Sequence, residues 1–216
     1  MPLYLEKKLE NGSRIAVWKI TENVEELLSL ADLCEDDKKK LNSFRLETRK
    51  KEWLAVRVLV KELLGKSHRI FYRKSGAPYF NDIGLHIGIS HTNGFAGIAV
   101  AQVRTSLDME KASPRIEKVF QRFVNDDELS FIPSGDRIDY YNLIWCAKET
   151  LFKLLDRHDV VFKENLNIRP LKMKQKGTVT ADVSFPNIEW AVTMGYEVMP
   201  EFTLVYYIKH TGDDLQ

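Results

Sequence analysis

Asp108 and Glu110 stand two apart at the end of an apolar run. Glu149 lies far downstream, inside Trp145-Cys146-Ala147-Lys148-Glu149-Thr150-Leu151-Phe152-Lys153. Alternate residues of a strand project to the same face, so Asp108 and Glu110 can offer oxygens to one point. A third carboxylate, Glu149, arriving from a helix would complete a site for a hard cation. Magnesium takes oxygen ligands and commonly binds through one or two carboxylates together with phosphates and waters. Lys148 and Lys153 flank Glu149 and could neutralise charge developing on phosphate oxygens. Such an assembly suits phosphoryl transfer, which depends mostly on positioning and charge neutralisation. A plainer reading also fits: two carboxylates on a solvated strand face, and a Glu149–Lys153 pair at i,i+4 worth about 0.2–0.5 kcal/mol.

Two further clusters carry polar chemistry. Ile89-Ser90-His91-Thr92-Asn93-Gly94 ends a strand in a small polar turn. Ser90 and His91 could donate to a phosphate and His91 could carry a proton, or the turn could simply be solvent-exposed. Ser113 to Val124 reads as a helix with Arg115, Lys118 and Arg122 at i, i+3, i+7, and with Ile116, Val119, Phe120 and Phe123 opposite. A basic face beside an acidic pocket would attract an acidic protein partner. The alternative is a core helix with a solvated outer side.

The elements that must position these residues follow from pattern. Two runs, Leu3-Tyr4-Leu5 and Ile15 to Ile20, flank the turn signal Asn11-Gly12-Ser13 and predict a hairpin over 3–20. A short helix is expected over 23–31 with Thr21 near its N-cap. Residues 35–64 read as mostly helical, with Trp53, Val56, Leu59, Val60 and Leu63 at helical spacing and Gly65 as C-cap. The run from Arg45 to Arg57 is rich in arginine and lysine. Strands are expected at 70–72, 85–90, 97–103 and 106–110, with Gly76-Ala77-Pro78 as a turn. Ser113-Pro114 opens the basic helix, 126–131 adds a further helical turn, and 137–155 is a second long helix. Residues 159–185 and 189–209 read as strands punctuated by Gly177, Pro186 and Gly195. The order suggests an α+β fold of two pseudo-symmetric halves, 1–103 and 104–216, each a long helix on an antiparallel sheet.

Composition narrows the function classes. The chain has 216 residues, 44% hydrophobic and 29% charged, with a net charge of +1. That is long enough for one large domain or two halves of about a hundred residues each. Near-neutral charge argues against a nucleic-acid grip through a broad basic surface. Cys34 and Cys146 are widely spaced and make neither a disulfide framework nor a zinc signature, so a reduced cytoplasmic setting is expected. Residues 1–10 scatter their charges and do not read as a signal peptide. No apolar stretch approaches the length that spans a bilayer, so no membrane partner is expected. No Gly-rich strand-to-helix loop marks a Rossmann or P-loop site.

Together, in this order, the motifs resemble the 4′-phosphopantetheinyl transferase superfamily, in its large surfactin-synthetase-activating type. That family carries a Gly-x-Asp-x-Glu strand motif, here Ser106-Leu107-Asp108-Met109-Glu110. About forty residues on it carries a Trp-x-x-Lys-Glu-x-x-x-Lys helix motif, here Trp145 to Lys153. Its upstream Gly-Lys-Pro and Ser-His elements resemble Gly76-Ala77-Pro78 and His86-Ile87-Gly88-Ile89-Ser90-His91-Thr92, and its intermediate glutamate falls at Glu128. The resemblance covers roughly residues 45 to 155. It implies two similar α+β halves with coenzyme A in the cleft between them. Asp108, Glu110 and Glu149 would hold magnesium against the pyrophosphate. Ser90, His91, Lys148 and Lys153 would meet phosphates, and Arg45, Arg49, Lys50 and Arg57 are candidates for the 3′-phosphate. The implied reaction moves the 4′-phosphopantetheine arm to a serine of an acyl- or peptidyl-carrier protein, as in fatty-acid, polyketide or peptide synthesis, and releases 3′,5′-ADP. Glu149 is the implied base, with Lys153 and His91 assisting. The carrier would dock near Arg115, Lys118 and Arg122, with Phe120 as an apolar contact. A chain holding both halves need not assemble to complete its cleft, so a monomer is expected.

Two positions depart from the family pattern. Ser106 stands for the motif glycine and Ala77 for the Gly-Lys-Pro lysine. These departures motivate an alternative: a non-catalytic relative that binds carrier protein or coenzyme A without turnover. Another magnesium-dependent phosphotransferase acting on a nucleotide is a further alternative, disfavoured by the missing P-loop.

Overall fold

The computed structural model describes residues 3–9 and 12–208, with Ile188 and Ile208 described by backbone alone. The chain forms two compact units, one from Met1–Thr105 and one from Ser106–Ile208. Helices and antiparallel sheets are mixed along it, as in an α+β protein.

The first unit is built on a sheet of β1 (Leu3–Lys8), β2 (Arg14–Lys19), β5 (His86–Thr92) and β6 (Phe95–Ala101), in the order β1-β2-β6-β5. Each pairing is antiparallel. β6 is buried along its whole length, as its unbroken apolar sequence requires of a central strand. Asn11 of the expected hairpin turn lies outside the described residues. Gly12 takes a φ of 81° and donates its N–H to Leu9 O at 2.9 Å.

Three helices belong to this unit. α1 (Val24–Leu30) is capped by Asn23 through a reciprocal capping box with Glu26, two residues past the expected Thr21. The helical run expected over 35–64 breaks at Phe44, which caps α2 (Glu35–Ser43), and resumes as α3 (Glu47–Leu64). Gly65 closes α3 in the left-handed conformation at φ 75°, as expected of a glycine past a helix end. α3 lies on β2 and β6 and buries Trp53, Leu54, Val58 and Leu59 against Trp18, Ile87 and Ile98. β3 (Ile70–Tyr72) and β4 (Pro78–Phe80) form a hairpin that Gly76 turns at φ 91°, with β4 beginning at the last residue of the expected turn.

The second unit is a sheet of β7 (Thr105–Glu110), β8 (Leu166–Ile168), β9 (Lys176–Phe185), β10 (Ile188–Val198) and β11 (Thr203–Ile208), in the order β7-β11-β10-β9-β8. The β8–β9, β9–β10 and β10–β11 pairings are antiparallel. Asn187, at φ 66°, turns β9 into β10. Gly195 lies within β10 rather than ending it. A Cβ there would come within 2.5 Å of the Tyr206 ring on the neighbouring strand, so the glycine makes room for that aromatic.

α4 (Asp126–Phe131) begins at Asn125 with a capping box to Glu128. α5 (Arg137–Leu155) packs on β11 and is buried on most sides, including Leu143, Ile144, Ala147 and Leu151. A short α6 (Phe162–Asn165), read from sequence as strand, precedes β8.

The segment expected as a basic helix over 113–124 is instead two 3₁₀ turns, Pro114–Lys118 and Phe120–Arg122. Bonds from Val119 N to Ile116 O and from Phe123 N to Phe120 O close them. β-Branched and aromatic residues give this stretch little helix propensity of its own. A tertiary contact decides its path: Phe120 stacks on Tyr141 of α5 at 4.5 Å and 6°.

Candidate active site

β7 and α5 meet in the second unit, and the chemistry-bearing side chains lie where they meet. On β7, Leu107 and Met109 are fully buried, while Ser106, Asp108 and Glu110 alternate to the other face. On α5, Asn142, Trp145, Glu149 and Lys153 recur at i, i+3, i+7, i+11 and make one stripe. That stripe grips β7 along its length. Asn142 Nδ2 donates to Glu110 O at 3.1 Å and Trp145 Nε1 to Glu110 Oε1 at 3.4 Å. Ser106 Oγ donates to Thr150 O at 2.9 Å. Lys153 Nζ donates to Asp108 Oδ1 at 2.6 Å and to Leu107 O at 3.3 Å.

The electrostatics of the cluster are unbalanced. Asp108 is buried, while Glu110 and Glu149 are half-buried. Burial, and then repulsion from Asp108, raise the Glu110 carboxyl above the usual range, and the Trp145 hydrogen bond and Lys153 only partly counter this. Burial and the Asp108 charge push Glu149 up to about 7, against the pull of Lys153. Cys146 is buried beside them, its thiol driven well above its ordinary range by burial and by Asp108 and Glu110.

The trio does not close into a cation site. Among the described residues no group of three or more His, Cys, Asp or Glu is arranged to hold a metal ion. At Asp108 the partner cation is the Lys153 ammonium. The donor set nevertheless fits magnesium chemically: three oxygen-bearing side chains, more negative charge than Lys153 balances, and no soft ligand required.

Lys148, expected to meet phosphate, points the other way. It is fully buried, and its ammonium donates to Phe123 O at 2.6 Å, Glu128 Oε2 at 2.9 Å and Phe162 O at 3.1 Å. Three N–H bonds against three acceptors leave none for a ligand. Burial pushes this ammonium down from its usual range and the Glu128 carboxylate pulls it back.

The first unit's candidates divide similarly. Ser90 on β5 is buried and His91 turns to the opposite, exposed face. Arg49 lies 2.5 Å from His91 Nε2, and Glu52 Oε2 lies 3.4 Å from His91 Nδ1 and 3.2 Å from Arg49 Nη1. Glu52, one helical turn from Arg49, was not singled out from sequence. Its spacing from Arg49 was visible, but its approach to His91 is set only by the packing of α3 on the sheet. Arg45 is exposed in the break between α2 and α3, and Lys50 is half-buried. Arg57 is enclosed. Its guanidinium is buried, lies 3.2 Å from the Trp53 ring centroid and donates to Trp53 O at 3.2 Å. Asp37, 3.8 Å away, is its carboxylate.

Arg115, Lys118 and Arg122 are exposed on the 3₁₀ turns, with Phe120 half-buried on Tyr141. Ser106, in the place of the motif glycine, is accommodated because its hydroxyl reaches the Thr150 carbonyl.

Residues 106–193 match the family model of the 4′-phosphopantetheinyl transferase superfamily. The matched span lies inside the second unit and contains Asp108, Glu110, Glu149 and Lys153. It points to phosphopantetheine transfer in general, a chemistry that uses coenzyme A and carrier proteins. No curated protein matches the chain. Among the described residues, no helix is long and apolar enough to cross a membrane.

Proposed function

We propose that this protein is a magnesium-dependent 4′-phosphopantetheinyl transferase of the large, surfactin-synthetase-activating type. It moves the arm of coenzyme A to a serine of an acyl- or peptidyl-carrier protein and works in the cytoplasm as a monomer. The observation that carries the reading is the grip of α5 on β7 through Lys153–Asp108 and Trp145–Glu110, with Glu149 on the same stripe of α5, inside the matched span.

The reaction forms a bond between the carrier serine Oγ and the phosphorus that bears pantetheine. It breaks the pyrophosphate bond on the other side of that phosphorus, and 3′,5′-ADP leaves. Glu149 would take the serine proton as the base. Lys153 offsets charge on the transferring oxygens. Asp108, Glu110 and Glu149 would hold magnesium, which would supply further charge neutralisation. Ser90, His91, Arg49, Arg45 and Lys50 are the candidates for the remaining phosphates of coenzyme A. The exposed Arg115, Lys118 and Arg122, with Phe120, are the surface for an acidic carrier helix.

The test is to incubate the protein with coenzyme A, magnesium and an apo carrier protein and to weigh the carrier. A mass gain equal to the phosphopantetheine arm is expected. No gain on any of several carriers that an established transferase modifies would overturn the proposal. One observation favours the alternative of a binding-only relative: Lys153 already fills the cation position at Asp108. Calorimetric binding of coenzyme A or carrier without a mass gain would select that alternative.

A further inference from the structure

α5 carries a second ionic device beside the candidate site. Lys148 and Glu128 form an ion pair at 2.8 Å with both side chains wholly shielded from solvent. Glu128 does more than balance the charge. Its Oε1 accepts from Ile168 N–H on β8 at 2.8 Å and its Oε2 from Asn125 N–H at 2.9 Å. Lys148 reaches the carbonyls of Phe123 and Phe162. The pair therefore ties α5 at one point to the last 3₁₀ turn, α4, α6 and β8.

Neighbouring residues of an α-helix stand about 100° apart around its axis, and residues four apart only about 40°. Glu149 and Lys153 thus share a side of α5, and Lys148 is rotated from that side into the interior. Fixing Lys148 fixes the direction of the other two. Charge in the interior is not needed for stability here, because a well-packed neutral substitute for a buried ion pair is commonly as stable. A directional, fully satisfied ion pair does fix register and rotation, which a slippery apolar contact does not.

We propose that Glu128 and Lys148 are positioning residues that set the rotation of α5 and so keep Glu149 and Lys153 facing Asp108. The kinetic consequence rests on the transferase reading; the geometric consequence does not.

The experiment compares the wild type with Glu128→Gln/Lys148→Met, by crystal structure and by kcat and KM for coenzyme A. The glutamine oxygen can still accept from Ile168 N–H, and its amide nitrogen, which gives up the Asn125 N–H bond, can donate to a carbonyl that Lys148 vacates, so the interior stays neutral. The expected result is a folded variant in which Lys153 and Asp108 no longer lie within hydrogen-bond reach, against 2.6 Å in the wild type. kcat falls about a hundredfold, as a displacement of about 1 Å can cause. KM for coenzyme A stays within about twofold. A merely structural pair would lower thermal stability and leave kcat of the folded protein unchanged. A folded variant that keeps the Lys153–Asp108 pair overturns the proposal, whatever its turnover. If the double variant does not fold, Glu128→Gln alone, which keeps both carbonyl partners of Lys148, is judged by the same distance. A wild type that transfers nothing refutes the transferase reading, and the distance still decides the positioning claim.

Discussion

Two ionic clusters share α5 and differ in what they leave over. Around Lys148 one positive charge meets one negative, every ammonium proton is accepted, and solvent is excluded. Around Lys153 one ammonium faces Asp108 while Glu110 and Glu149 crowd in, both held above their ordinary range by burial and repulsion. The Lys153 side chain is 34% exposed. A closed, balanced pair has no valence to offer a ligand. An open cluster with surplus carboxylates favours the arrival of another cation and of whatever anion that cation brings. A strongly perturbed group is therefore informative only when its partners are counted.

The contrast is sharpest in stability. Lys148→Met alone strands a buried carboxylate and should cost about 3–5 kcal/mol in urea unfolding. A loss under about 1 kcal/mol would show that the interior pair is not closed as described.

Asp108→Asn should do the reverse. It removes repulsion as well as the Lys153 pair, so stability should move by no more than about 1 kcal/mol. Carrier modification should fall about a hundred- to a thousandfold, or about 3–4 kcal/mol of barrier. Unchanged turnover with reduced stability would place Asp108 in the scaffold instead.

The pH dependence of stability tests the surplus directly. Glu149 titrates at about 7 when folded, against 4.5 in a free side chain. Between those values the folded state holds the extra proton, so its stability falls as pH rises through this window and levels off above it. The half-buried position limits the change to about 1–2 kcal/mol. Glu149→Gln should make the decline between pH 5 and pH 8 shallower by that amount. Equal slopes for variant and wild type would contradict the crowding of Glu149.

The smallest effect is expected on the carrier surface. Arg115→Glu/Lys118→Glu should raise KM for an acidic carrier about tenfold at low salt and much less at high salt, with kcat unchanged. No change in KM would move the docking surface elsewhere.

Much of the site was legible because it is local. Strand alternation alone sets Asp108 and Glu110 on one face, and helical spacing alone aligns Glu149 with Lys153. What sequence could not reveal depends on distant partners. Lys148 reads as a phosphate partner beside Glu149 until Glu128, Phe123 and Phe162 close around it. Arg57 reads as one of several available cations until Asp37 of α2 closes on it. The basic segment over 113–124 has the right spacing for a helix, yet Phe120 stacking on Tyr141 draws it into 3₁₀ turns. In each case a tertiary contact overrode a local pattern.

The most direct measurement is a crystal structure of the protein with coenzyme A and magnesium. The account predicts one ion with oxygens of Asp108, Glu110 and Glu149 at about 2.0–2.1 Å, the pyrophosphate against it, and Lys153 moved from Asp108 toward a phosphate oxygen. An ion held elsewhere, with Lys153 still on Asp108 while coenzyme A is bound, would contradict it.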